Sequence, residues 1–257
     1  MNGTGIPLLV YLNSDGEEID RILGYISPEE YLNRIEDIYN GVNTFLSLKN
    51  SFISGSRDAT VISKLSDKCQ SYSELEFCED VHSYVINNRT YFDSQTIFTA
   101  ELIFAKKQIE VDGDTSSLIE LIDVYENPEH QKSIYHTLVY HYNSNGDIKT
   151  EAKIYKEYSD KFITDANLLN GYAWRMTELK LNLQDALEKS TQAIDLTSNN
   201  LESQANILDT KAELLWLLDR CDEAISIIDI AIDINPNSEY FKEQKTKFKN
   251  SQNEEKL

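Results

Sequence analysis

The chain has 257 residues, enough for one extended helical array or two modest domains. Its formal net charge of −20 repels phosphate backbones and anionic headgroups, so neither nucleic acid nor a membrane surface is expected as a partner. No apolar run reaches the ~18 residues of a membrane span, residues 1–12 lack the layout of a signal peptide, and nine Gly and four Pro leave few helix breakers.

In chain order, the first expected elements are strands. Ile6-Pro7-Leu8-Leu9-Val10-Tyr11-Leu12 is apolar and β-prone, Asn13-Ser14-Asp15-Gly16 is a turn signal, and Glu17 to Gly24 continues as a second strand. A helix follows. Ser27 is a natural N-cap, Pro28 fits the first helical position, Glu30 would complete a capping box, and Gly41 is a good stop. Strand 8–12 is nearly all apolar, as a strand buried on both faces would be. A lone hairpin is marginal in water, so this one is expected to pack on helix 28–40 and the next helices or to self-associate.

From Asn43 onward the pattern is helical, with expected spans near 43–53, 58–71, 74–87, 94–108, 115–126, 129–143, 148–160, 165–180, 184–196, 204–219, 221–234 and 237–250. Short Gly/Asn/Asp/Ser links between them suggest stacked antiparallel hairpins. Residues 43–160 carry that rhythm without a clear consensus and read as degenerate repeats.

A repeat signal appears at 165–250. Leu208, Ala212 and Leu215 lie on one helix. Ala224, Ile228 and Ala231 follow at i, i+4 and i+7 of the next, and Pro236 closes it. Small residues let two helix backbones approach, and larger ones fill the gaps. The preceding unit repeats the set, with Leu169, Ala173, Ala186 and Ala193 parallel to Leu208, Ala212, Ala224 and Ala231, and Ser198 where Pro would stand. This spacing resembles the tetratricopeptide repeat. Lys211 departs from it, standing where an apolar residue is usual. Tyr240, Phe241 and Phe248 mark a final capping helix, and 251–257 is expected to fray. The resemblance implies a mainly α fold, a tetratricopeptide-like α-α superhelix, with a small N-terminal β-hairpin and helix.

Residues 5–41 carry a second resemblance, on Gly5-Ile6-Pro7-Leu8-Leu9-Val10-Tyr11-Leu12, Asp15-Gly16, Ile22-Leu23-Gly24-Tyr25 and Ser27-Pro28-Glu29-Glu30. The string is similar to the closing portion of a thioredoxin-like domain. That implies a cis Pro7 and an Ile6 whose backbone bonds a bound peptide. The family's redox C-x-x-C lies upstream of this segment, and Cys69, Cys78 and Cys221 cannot replace it. The chain therefore reads as the C-terminal part of a larger protein, with segment 1–41 followed by helical repeats.

Other candidates favour structural roles. His136 and His141 are five residues apart, which does not place them on one helix face for a metal, so they are expected as core or groove aromatics, and His82 is expected to pack. Asp112, Asp114 and Glu120 fail the calcium-loop spacing, and Asp114 is expected to cap the next helix. Cys69 and Cys78 fall on different helices where a bridge is feasible, but buried free thiols are expected. Lys242 to Leu257 carries a net +2 against −22 for the rest and is expected to be a solubilising end rather than a segment folded back on the acidic body. Fifteen Tyr include Tyr135, Tyr140, Tyr142, Tyr155 and Tyr158, some for packing and some for a groove.

The leading expectation is a non-catalytic scaffold binding a protein or peptide, preferably basic, with no cofactor and no metal, and cytoplasmic as the chain stands. The rival is the tail of an exported thiol–disulfide oxidoreductase whose C-x-x-C half is missing. A third reading is homo-oligomerisation through the N-terminal hairpin.

Overall fold

The computed structural model describes residues 8–72 and 76–254, side chains to 251. Ile6 and Pro7 lie outside them. The described residues form two strands and thirteen α-helices, divided into two compact units, Met1–His130 and Gln131–Leu257.

The first unit opens with β1 (Leu8–Leu12) antiparallel to β2 (Glu18–Leu23), in register Leu8 with Leu23 and with a bulge at Tyr11/Leu12. The turn forms because the Asn13 side chain accepts the Asp15 and Glu17 N–H groups, while Gly16 takes φ 80°, which a side chain would strain. Helix α1 (Pro28–Asn40) starts at Ser27, whose Oγ accepts the Glu30 N–H at 3.2 Å, and ends on left-handed Gly41. The reciprocal capping box expected from Glu30 appears instead one helix later, between Thr44 and Ser47 at the start of α2 (Phe45–Ile53). Two Ser/Thr hydroxyls suffice there, because both orphan N–H groups need only an oxygen acceptor.

The hairpin is anchored by β2, not by the more apolar β1. Ile22 and Asp20 of β2 are buried, and β2 packs on α2. Leu8, Leu9, Val10 and Leu12 stay exposed, and α1 buries no residue fully.

Helices α3 (Ala59–Cys69), α4 (Glu76–Asn87) and α5 (Ser94–Asp112) surround a core of Phe45, Leu48, Ile62, Leu65, Val81, Val85 and Ala100. Stacked Phe45–Tyr72 rings, 3.7 Å apart, and edge contacts through Phe77, Phe52, Tyr84 and Phe92 fill gaps that aliphatic residues leave. Cys69 and Cys78 are joined in a disulfide, which corrects the expectation of free thiols. The reason is local. A short 3-10 turn, Gln70–Tyr72, ends α3 near the start of α4, bringing the two Cα atoms to 5.5 Å. Cys221 is buried and takes no part in a disulfide.

Helix α5 runs four residues beyond the expected end, to the left-handed Gly113. Asp114 accepts the Ser116 N–H and hydroxyl and so serves the start of α6 (Ser116–Val124), although Thr115 occupies the capping position. His82 is buried, with Nε2 3.3 Å from the Ser66 carbonyl, whereas His136 is exposed and His141 half-buried.

Helix α7 (Pro128–Ser144) opens in the first unit and continues into the second. There follow α8 (Ile148–Lys161), α9 (Ala166–Leu179), α10 (Leu183–Leu196), α11 (Leu201–Leu217), α12 (Cys221–Ile234) and α13 (Glu239–Glu254). Successive helices α8 to α12 pack pairwise, α9 also packs on α11, and α13 closes on α12. Ala173, Ala186, Ala212, Ala224, Ile228 and Ala231 share one buried cluster with Leu208 and Leu215, capped by Phe241 and Phe248. Leu169 and Ala193 form a smaller cluster with Ile207. Pro236 lies in the exposed α12–α13 turn. The chain is thus mainly α, with tetratricopeptide-like helix pairs and a small N-terminal hairpin and helix.

Candidate protein-binding face

The alignment of the two repeat units that matches Leu169 with Leu208 also matches two polar rows. On α9 the row is Asn167, Asn170, Trp174 and Thr177. On α11 it is Asn206, Asp209, Glu213 and Trp216. Steps of three and four hold each row on one face of its helix, away from the alanines that pack. On α13, Tyr240, Lys247 and Ser251 meet the α11 row.

The contacts are specific. The Tyr240 hydroxyl donates to Asp209 Oδ2 at 3.2 Å, and Gln244 donates to the Tyr240 oxygen at 2.7 Å. Lys247 donates to both Glu213 oxygens, at 2.7 and 2.6 Å, and its ammonium lies 4.0 Å from the Trp216 ring centroid. Trp216 Nε1 donates to Ser251 at 3.0 Å. A carboxylate below and an aromatic face beside a lysine are the chemistry that holds a cation at an interface.

Asp209 is the unusual member. It is 6% exposed, and Oδ1 has no hydrogen-bond partner. Burial pushes its carboxyl up to about 6. The Tyr240 bond opposes the rise, Glu213 adds to it and Lys247 opposes it. Asn170, at the matching position of α9, also has a buried Oδ1 without a partner. Natural proteins leave few such atoms unpaired; Ser66, His82 and His130 each have one as well, but only Asp209 and Asn170 share a repeat position.

Lys245 pairs with Asp229 of α12, so two of the C-terminal lysines fold back onto acidic groups. This corrects the expectation of a merely solubilising end; the two lysines flank the buried Phe241 and Phe248 on opposite sides of α13 and reach α12 and α11. Among the five singled-out tyrosines, Tyr135 and Tyr158 are buried and stacked with centroids 5.2 Å apart, Tyr155 and Tyr142 are half-buried, and Tyr140 is exposed. Among the described residues no group of three or more His, Cys, Asp or Glu could hold a metal, and no helix is long and apolar enough to cross a membrane. Asp112 and Asp114 serve local turns, Asp112 accepting the Asp114 N–H at 3.0 Å.

The sequence pattern singles out the alanine positions and not the polar row. The signal was present: the same shift that superposes the alanines superposes Asn206 on Asn167 and Asp209 on Asn170.

No protein-family model and no curated protein sequence matches the chain. Among solved structures it is similar to a tetratricopeptide-repeat protein of Thermus thermophilus, at 12% identity over 86% of this chain and 93% of that one, with a TM-score of 0.33. It is also similar to yeast Tom70, at 16% identity over 88% of this chain and 54% of that one, TM-score 0.38. A third is a repeat protein of the same kind from Bacteroides fragilis, at 16% identity over 87% and 95%, TM-score 0.34. Scores this low carry no argument about function; the class, a helical-repeat protein, rests on the helix pairs themselves.

Proposed function

We propose that the chain is a non-catalytic scaffold that binds a protein or peptide, preferentially a basic segment, on the face formed by α9, α11 and α13. Asp209 is the observation that carries this reading. A buried carboxylate with a free oxygen, held among rigid helices beside Glu213 and Trp216, costs stability and is explained by a cation that binds there. Lys247 on Glu213 and Trp216 is the internal example of such a contact. A partner's lysine or arginine would take the same kind of seat, and its row of side chains would run along Trp174 and Asn170. Nothing in this mechanism needs a cofactor or metal.

The test is an array of 15-residue peptides, basic, neutral and acidic, probed with the full chain. Basic peptides should bind, losing affinity steeply above physiological ionic strength, and Asp209→Asn with Glu213→Gln should abolish the preference. Binding that is independent of salt and of both substitutions would sink the reading.

A second proposal concerns assembly. β1 is apolar on both faces, Val10 is 44% exposed, and the strand carries no charged residue on its free edge. A second copy pairing at that edge would cover it without opposing like charges on the two strands. The degenerate repeats proposed for 43–160 remain a matter of rhythm rather than of shared packing positions. The oxidoreductase reading has no residue to stand on in the described structure: Ile6 and Pro7 lie outside it, and Cys69 and Cys78 are nine positions apart.

A further inference from the structure

A second surface of the same unit also carries recognition chemistry. Helices α10 and α12 both pack on α11, and between them runs a groove of about 630 Å³. Its floor is Lys211 and Leu215 of α11, one turn apart, and its apolar wall residues include Leu187 and Ile227. On a 100° per residue wheel, Lys211 lies about 160° from Asp209, so this groove and the Asp209 row use opposite sides of α11.

Lys211 is the feature that needs explaining. It stands where the repeat pattern has an apolar residue, and it is half-buried. Among the described residues it makes no hydrogen bond or ion pair, although Glu188, Asp195 and Glu223 line the same groove. Glu223 is held by Arg220, at 2.7 and 2.6 Å. Glu188 and Asp195 are exposed and stand on the α10 side. A half-buried lysine on a partly apolar floor, with carboxylates exposed beside it, is complementary to a segment of the reverse pattern.

We propose that this groove is a docking site for an amphipathic helix of a partner protein. The apolar face of that helix carries one carboxylate that reaches Lys211, with basic residues flanking it opposite Glu188 and Asp195. A helix fits because floor and walls present their side chains at helical spacing, the arrangement in which i, i+3, i+4 and i+7 anchors engage. The volume suits several such side chains. The site is independent of the Asp209 row and stands or falls separately.

The test uses a displayed library of 16-residue helical peptides, randomised on the apolar face and selected against the full chain. Parallel selections use Lys211→Met, which restores the usual apolar character and should fold at least as well, and Lys211→Arg, which keeps the charge. Wild type and Lys211→Arg should enrich an acidic residue at a central apolar-face position. The selected peptides should bind Lys211→Met at least tenfold more weakly, and their amide-shift footprint should fall on α10, α12 and Lys211. The proposal is overturned by failure to enrich an acidic residue, by equal binding to Lys211→Met, or by a footprint on α9 and α13, which would instead report the Asp209 face.

Discussion

The two units solve the problem of burying a helical surface differently. In Gln131–Leu257 small residues recur at crossing points, and Ala173, Ala186, Ala212, Ala224 and Ala231 are all fully buried. Backbones approach closely at these crossings, and charges and rings are added around them, as in the buried Glu151 held by Arg175 at 2.6 Å and the stacked Tyr135 and Tyr158. In Met1–His130 no such series exists. Its core is filled by an aromatic chain from Tyr72 to Phe92, tied by the Cys69–Cys78 disulfide and closed on the hairpin by charges. Asp20, 1% exposed, takes Lys68 at 2.5 Å and Arg34 at 3.2 Å, while Arg21 lies 3.9 Å over the Tyr72 ring and Tyr72 donates to Glu18. A repeated packing rule can be read from sequence; a set of one-off contacts is specific to its place.

The comparison breaks most sharply at Asp20. Asp20→Ala leaves Lys68 buried beside Arg34 without its hydrogen-bonded carboxylate, Asp37 acting on it only through space, so the first unit should lose about 3–5 kcal/mol. Burial already pushes the Lys68 ammonium below its ordinary range, against the opposing Asp20 bond. Urea unfolding followed by hydrogen exchange should show the loss in Met1–His130 and leave protection in α9 to α12 unchanged. Equal loss in both units would mean that they unfold as one.

The disulfide comes next. It closes a nine-residue separation, and Cys69→Ser with Cys78→Ser should cost the first unit about 2–3 kcal/mol. Such bonds persist in oxidising compartments and are reduced in the cytosol, so the state of this one in the cell is open to measurement. Alkylation of thiols in intact cells before lysis should find Cys69 and Cys78 protected. Full modification of both would show that the bond is not formed in the cell.

In the second unit, Ala212→Leu should cost about 1–3 kcal/mol, because a wholly buried alanine at a helix crossing has no room for three more carbons. The same change at exposed Asn206 should be nearly neutral, which separates packing from helix propensity by thermal unfolding.

These outcomes bear on what the sequence could disclose. Helix α12, Cys221–Ile234, coincides with the expected span, because Pro236 stops it, alternation of small and large apolar residues marks one face, and no long-range contact is needed to define it. The hairpin too is legible in the sequence, but which of its strands carries the anchor is not. Apolar content favours β1, yet Asp20 and Ile22 of β2 are the buried pair, since Lys68 and Arg34 converge from α3 and α1 to neutralise Asp20. Convergence from three elements leaves no periodic trace. The disulfide escaped for the same reason, because it depends on a turn between α3 and α4. The Asp209 row was legible only after two repeats were superposed, since a single row of Asn, Asp and Glu is what any solvated helix face carries.

The smallest effect tests the binding face and has a definite sign. An aspartate titrates near 3.9 when unfolded, and in the folded chain Asp209 is pushed up to about 6. The folded state therefore binds the proton more tightly, and between these values the unfolded chain carries fewer protons at this site. Stability from Asp209 is greatest below about pH 4, falls as pH rises through the window, and stays low above pH 6 to 7. Asp209→Asn removes the charge, keeps the shape and keeps an acceptor for Tyr240. At pH 7.5 it should stabilise the chain by about 2 kcal/mol, with the advantage shrinking towards zero near pH 4. The same variant should lose affinity for basic peptides. A gain in stability coupled to a loss of binding is the signature of a residue kept for recognition at the expense of the fold. A substitution that destabilises at pH 7.5 would show instead that the Asp209 charge is satisfied within the unit, and would return the α9, α11 and α13 face to ordinary solvated surface.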